Sequence, residues 1–276
     1  MGINEIAQTV LKDFFGISRL KVKLAEDFGL CYIANHRDGD RAKQTHKTEE
    51  EQMLGRLFKS LKKDANGSVH PDFPDLPLNM RLNGLVKFKA SSKTYFLLND
   101  GKIQSAIPEE DAMIKAVSSM QLFDLNVYRA YMDSQSPETI LQVNCDGKDV
   151  LDVLLFNKKW EFVMENDASA QKEWRNMIGW KDMAPPDSPM YFRDWSVPVE
   201  EYGEMVSPLR FYERYFENPE KMTEITNEAM LYVRQIEGGK EEDIEYLLAS
   251  FRTGLRRYRV EVWTGVVIGA GGVDIL

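Results

Sequence analysis

Leu125-Asn126-Val127-Tyr128-Arg129-Ala130-Tyr131-Met132-Asp133 is the stretch that decides the fold. Successive side chains of an extended chain point to opposite faces. Leu125, Val127, Arg129 and Tyr131 therefore share one side, and Asn126, Tyr128, Ala130 and Met132 the other. Similar β-branched and aromatic runs, broken by turn residues, fill 81–107, 124–164 and 222–268. In the last of these, Tyr258, Val260 and Val262 share a face, while Arg257, Arg259, Glu261 and Trp263 share the other. The pattern reads as an antiparallel β-rich body and supplies a fold class, not a reaction.

Working outward, 85–90 and 94–98 read as strands, with Asn99-Asp100-Gly101 as a hairpin turn into 102–107. Pro108-Glu109-Glu110-Asp111 carries a helix-start signature, proline in the first turn and acids at the positive end, so a helix is expected to about Leu122. Strands follow at 125–132, 139–144, 149–156 and 159–163. A short helix at 167–178 buries Trp174 and either Met177 or Ile178, and a Pro-rich loop covers 179–189. A meander of 222–236, 244–252 and 257–268 closes the reading. Toward the N-terminus, 4–15 and 49–64 read as helices. The second has a capping box at Thr48–Glu51 and an apolar stripe of Met53, Leu54, Leu57, Phe58 and Leu61. Pro71, Pro74 and Pro77 interrupt regular structure. The expected organisation is a helical region over 1–67, a Pro-rich linker over 68–79 and a β-rich body over 80–276. The expected fold class is α+β: an antiparallel sheet body with a few packed helices and a helical N-terminal segment.

With 276 residues, 43% of them hydrophobic, the chain can bury a real core without disulfides or metals. Its 35 basic against 44 acidic residues give a net charge of −9, which disfavours a dedicated nucleic-acid binder. Cys31 and Cys145 are too far apart in sequence for a redox or zinc motif and read as reduced thiols. No stretch approaches the ~20 apolar residues of a membrane helix. The Met1–Glu5 start lacks a basic leader region, and Ile6 stands where myristoylation wants Ser or Thr. These features point to the cytoplasm.

The chemistry-bearing residues are few. His36, His46 and His70 lie in or beside loops and lack zinc-ligand spacing, so no metal or cofactor is expected. Gly265–Gly272 lacks the Gly-Lys-Ser/Thr of a phosphate loop. Two clusters remain. Asp194, Glu200 and Glu201 are the catalytic candidates, with Arg193, Trp195, Tyr232 and Arg234 as ligand-binding neighbours and Glu204, Arg210, Tyr212 and Arg214 nearby in sequence. The favoured alternative there is an ion-paired scaffold with arginine packed on aromatic faces. Arg252, Arg256, Arg257 and Arg259 form a second basic cluster able to hold a phosphate or to protect a hairpin edge.

Four strings in order carry a resemblance: Arg129–Asp133 followed by Leu141–Val143, Tyr191–Trp195, Glu228–Arg234, and Glu245–Ser250. Over about residues 85–275 the chain resembles an uncharacterised bacterial family, the YjfK-like proteins. The resemblance implies a cytosolic protein without assigned activity, in an envelope-stress or membrane-maintenance setting that includes phage-shock-protein-A-like proteins and relatives of glutathionylspermidine synthase. The leading expectation is a non-enzymatic adaptor with a protein partner. The alternatives are an enzyme or small-ligand binder using the carboxylate/arginine pocket, and a structural subunit of a phage-like or secretion assembly.

Overall fold

Eight antiparallel strands close on themselves. The computed structural model describes residues 69–133, 138–164, 168–185, 187–194, 205–240, 243–254 and 258–276. Its strands are β1 (Leu85–Phe88), β2 (Ala112–Leu122), β3 (Leu125–Asp133), β4 (Thr139–Asp146), β5 (Asp149–Met164), β6 (Asp182–Met183), β7 (Tyr191–Arg193), β8 (Leu209–Asn218), β9 (Lys221–Gln235), β10 (Ile244–Thr253), β11 (Tyr258–Val267) and β12 (Val273–Ile275). The hydrogen-bonded order β2-β3-β4-β5-β11-β10-β9-β8 returns to β2. Val117, Ser118 and Ser119 make that last seam with Phe216, Tyr215 and Arg214. Closure removes the sheet edges that an open β-protein must otherwise protect. β1 and β12 extend the wall beside β2, and β7 and β6 extend it beside β9.

This corrects the α+β expectation. The described body is a β-barrel, and its α-helices are α1 (Ala90–Leu98) and α2 (Ala168–Ile178). Two local readings explain the difference. Residues 94–98 belong to α1, and Asn99-Asp100-Gly101 ends that helix instead of turning a hairpin: the Asn99 amide donates to the Tyr95 and Phe96 carbonyls, and Gly101 takes φ +73°. The helix expected up to Leu122 is strand β2. It lies between two buried layers, and its bulge at Lys115 breaks the two-residue period, leaving apolar spacings that mimic a helix.

β3, β4, β5, β9, β10 and β11 follow the sequence reading, whereas β6, β7, β8 and β12 have no counterpart in it and β6 falls in the stretch read as a Pro-rich loop. Residues 149–156 and 159–163 merge into the single long β5, which bulges opposite Val262/Trp263. In α2 it is Ile178 that is buried, while Met177 is 41% exposed. The Pro-rich segment folds back as structure of its own. Pro77–Asn79 forms one 3-10 turn, and Phe73 meets Phe216 edge-on with ring centroids 5.0 Å apart. The elements expected in 1–67, together with Trp195, Glu200, Glu201, Glu204, Arg256 and Arg257, lie outside the described residues.

Alternation sorts the core into three parts. Met120, Leu122, Leu125, Val127, Ile140, Leu154, Phe156, Phe211, Leu231, Leu248 and Trp263 fill the lumen. Outside β2–β5, Ile114, Ala130, Leu141, Val143 and Leu155 are covered by Phe88, Phe96 and Ile103 of the β1–α1 layer. Outside β9–β11, Met230, Leu247, Ala249, Val260 and Val262 are covered by Tyr191 and the end of α2. The opening stretch therefore sends Leu125 and Val127 inward and Ala130 and Met132 outward.

Candidate functional site

The lumen carries charge at mid-height. Arg129 and Tyr131, on the inward side of β3, meet Glu213 of β8 and Arg252 of β10. Glu213 is fully buried and accepts four hydrogen bonds: from Ser118 Oγ at 2.5 Å, from Tyr131 OH, and from Asn227 Nδ2 and Arg252 Nη2 at 3.1 Å each. Arg129 Nη1 lies 3.6 Å from the same carboxylate. Arg252 Nη1 donates to Glu261 Oε2 at 2.7 Å, and Trp263 Nε1 donates to that oxygen at 3.2 Å. Toward the rim, Lys158 bridges Glu138 and Glu161, and Arg259 pairs with Glu161 at 2.9 Å.

These groups hold their charges firmly. Burial alone would raise the Glu213 carboxyl, but Arg252, Arg129 and the donated hydrogen bonds hold it down at about 2. Burial pushes the Tyr131 hydroxyl up to about 12, with Arg252 opposing and Glu213 assisting. Burial disfavours the charges of Arg252 and Lys158, yet their carboxylate partners, with Tyr131 beside Arg252, raise both above their ordinary values. A general acid or base works best with a pKa near the operating pH; Glu213, Tyr131, Arg252 and Lys158 are each driven away from neutrality. Asp152, on β5 opposite Asn144 of β4, differs. Burial raises its carboxyl to about 6, and its Oδ2 is buried without a partner among the described residues.

The candidates named from sequence fall in several places. Arg193 and Tyr232 sit side by side in register on β7 and β9, facing the C-terminal end of α2. Arg193 Nη1 donates to the Gly179 carbonyl at 3.1 Å, and Tyr232 OH donates its one proton to the Ile178 carbonyl at 2.5 Å, with the Trp180 carbonyl 3.1 Å away. They satisfy carbonyls that a helix end leaves without intrahelical partners. The Asp194 amide donates to the Leu231 carbonyl.

Arg234 belongs to a neighbouring cluster centred on fully buried Glu245. Glu245 Oε1 accepts from the Gln104 and Ser105 amides and from Ser105 Oγ at 2.7, 2.6 and 2.8 Å. Its Oε2 accepts from Tyr191 OH at 2.9 Å and from Arg234 Nη2 at 2.6 Å. Arg234 Nη2 also reaches the Lys102 carbonyl. One carboxylate thus straps the α1–β2 connection onto the barrel wall. In the second basic cluster, Arg252 and Arg259 are cross-strand neighbours, each paired with glutamate.

Sequence reading passed over Glu213 and Glu245. A usable signal existed for the first: Arg129 falls on the side of its strand that otherwise carries Leu125 and Val127, and a charge on a buried face requires a buried partner.

Open space lies outside the barrel. A groove of ≈ 720 Å³ runs over β3, β2, β8 and β9 beside the segment that follows His70. Ser119 and Gln121 of β2, Tyr128 of β3, Arg210, Tyr212 and Arg214 of β8, and Asp72 and Asp75 line it, together with the lumen residues Met120, Leu122 and Phe211. Tyr212 is 54% exposed, and the Arg210 guanidinium lies 5.9 Å from its ring centroid. The β2–β8 ladder stops at Ser119 and Arg214, beneath this groove. Among the described residues no helix is long and apolar enough to cross a membrane, and no cluster of three or more His, Cys, Asp or Glu has metal-site geometry.

No curated protein and no solved structure matches the chain significantly. A family model does match, over residues 53–272. The chain belongs to DUF2491, a family of proteins of unknown function.

Proposed function

We propose that this protein is a non-enzymatic, partner-binding adaptor that works through the outer groove of its barrel. The carrying observation is the contrast between inside and outside. The lumen is occupied by apolar side chains and by the Arg129–Glu213–Arg252–Glu261 network, whereas the groove, which reaches the lumen residues Met120, Leu122 and Phe211 where the β2–β8 ladder stops, offers ≈ 720 Å³ with exposed polar and aromatic groups along its outer side. A small-molecule barrel carrier needs lumen space. A docking surface needs anchors at its centre, for which tyrosine and arginine are the best-suited residues; Tyr212, Arg210 and Arg214 supply them. The YjfK-like resemblance supplies the setting: an envelope-stress or membrane-maintenance system in the cytoplasm, with a phage-shock-protein-A-like protein as partner.

The test is a binding titration of the full chain against a purified phage-shock-protein-A-like protein. Saturable binding is expected, weakened roughly tenfold or more by Tyr212→Ala or Arg214→Glu, as for hot-spot residues. Absence of binding, or binding indifferent to both substitutions, contradicts the proposal.

A further inference from the structure

A second, much smaller cavity lies within the lumen, and every residue lining it is buried: Arg129, Ile140, Phe156, Asn227, Leu248, Ser250, Arg252, Glu261 and Trp263. Its usable volume, ≈ 10 Å³, is about that of a single water. Arg252 Nε is buried beside it and finds no acceptor among the described residues, although both terminal nitrogens of the same guanidinium are engaged. A buried N–H without an acceptor is destabilising, because the water it bonded in the unfolded chain is not replaced. Ser250 Oγ donates to Asn227 Oδ1 at 3.0 Å and keeps its acceptor lone pairs. The Glu261 carboxylate supplies further acceptor capacity.

We infer that the lumen contains a binding site for one ordered water, which accepts from Arg252 Nε and donates to Ser250 Oγ and the Glu261 carboxylate. Three polar partners is the usual complement of a buried water. The apolar walls Ile140, Phe156 and Leu248 leave no room for a larger guest. The water thereby completes the saturation of the Arg252 guanidinium and joins the β9–β10 side of the network to β11. The site is independent of the groove, and it stands or falls separately from the adaptor reading.

The test is a high-resolution crystal structure of the full chain together with NMR of the Arg252 side chain. Expected are a density peak within hydrogen-bonding distance of Arg252 Nε and a slowly exchanging Nε–H with a cross-relaxation peak to water. In Ser250→Val, which removes one acceptor and fills the space, the peak is expected to vanish and Nε–H exchange to rise roughly tenfold or more. A dry cavity, or an Arg252 Nε bonded directly to a protein acceptor, overturns the inference. Because the native protein alone decides between these outcomes, failure of the variant to fold leaves the test intact.

Discussion

Arg252 Nη2 lies 3.1 Å from Glu213 Oε2 across the barrel lumen, joining β10 to β8 where both side chains are shut away from solvent. The pair sits near the β2–β8 seam, since Ser118 bonds the same carboxylate from β2. Closure of the barrel and neutralisation of the lumen are thus served by the same residues.

Removing one partner is expected to cost far more than removing the pair. Arg252→Met leaves Glu213 charged and buried, and about 3–5 kcal/mol of stability is expected to be lost. Arg252→Met combined with Glu213→Leu removes both charges and should recover a large part of that loss. Urea unfolding of the two variants measures it. A double variant no more stable than Arg252→Met contradicts the account.

The pH dependence has opposite signs for two carboxyl groups of the barrel. The Glu213 carboxyl is lower in the folded state, at about 2, than its ordinary 4.5. Its contribution is therefore present above about 4.5 and lost as pH falls toward 2. The Asp152 carboxyl is raised from 3.8 to about 6. Its burial is harmless below pH ~4, and the penalty grows until it is complete above pH ~6. The full shift corresponds to at most ~3 kcal/mol, and partial exposure screens it to about 1 kcal/mol. Asp152→Asn is expected to stabilise the protein by that amount at pH 7 and to change nothing at pH 3.5. Thermal unfolding across this range checks it; equal effects at both pH values contradict it.

Glu245 fixes the strap through the Gln104 and Ser105 amides. In Glu245→Ala those two amides are expected to exchange with solvent roughly tenfold faster or more, while the β3–β4 amides stay protected. Arg234, left without its carboxylate, also loses an anchor for the Lys102 carbonyl. Hydrogen exchange followed by NMR reads both effects. Unchanged protection at 104–105 contradicts the strap.

How far the sequence foretold this structure depended on how local each signal was. Leu125–Asp133 could be read because its period is intact and its neighbour β4 follows within a few residues. Ala112–Leu122 could not: one bulge at Lys115 shifted the phase, and the acids before it imitated a helix start. Barrel closure was out of reach because its seam pairs β2 with β8, segments whose contact between Ser118 and Glu213 spans 95 positions. The candidate residues fared likewise. Arg193, Tyr232 and Arg234 are neighbours in space, but their partners, the α2 carbonyls and Glu245, were invisible without the fold. Tyr212 and Arg214 were noted only as neighbours of another cluster. The strand that carries them, β8, was not read from the sequence, and the groove beside them is lined in part by the chain after His70.

The account's central claim is that a filled barrel acts from its outer wall. NMR chemical-shift mapping during titration with the phage-shock-protein-A-like protein tests it most directly. The prediction is that the amides of Ser119, Gln121, Tyr128, Tyr212 and Arg214 shift while the Trp263 Nε1 resonance inside the lumen stays still. Shifts centred on Trp263 and its lumen neighbours, with the groove unmoved, would contradict it.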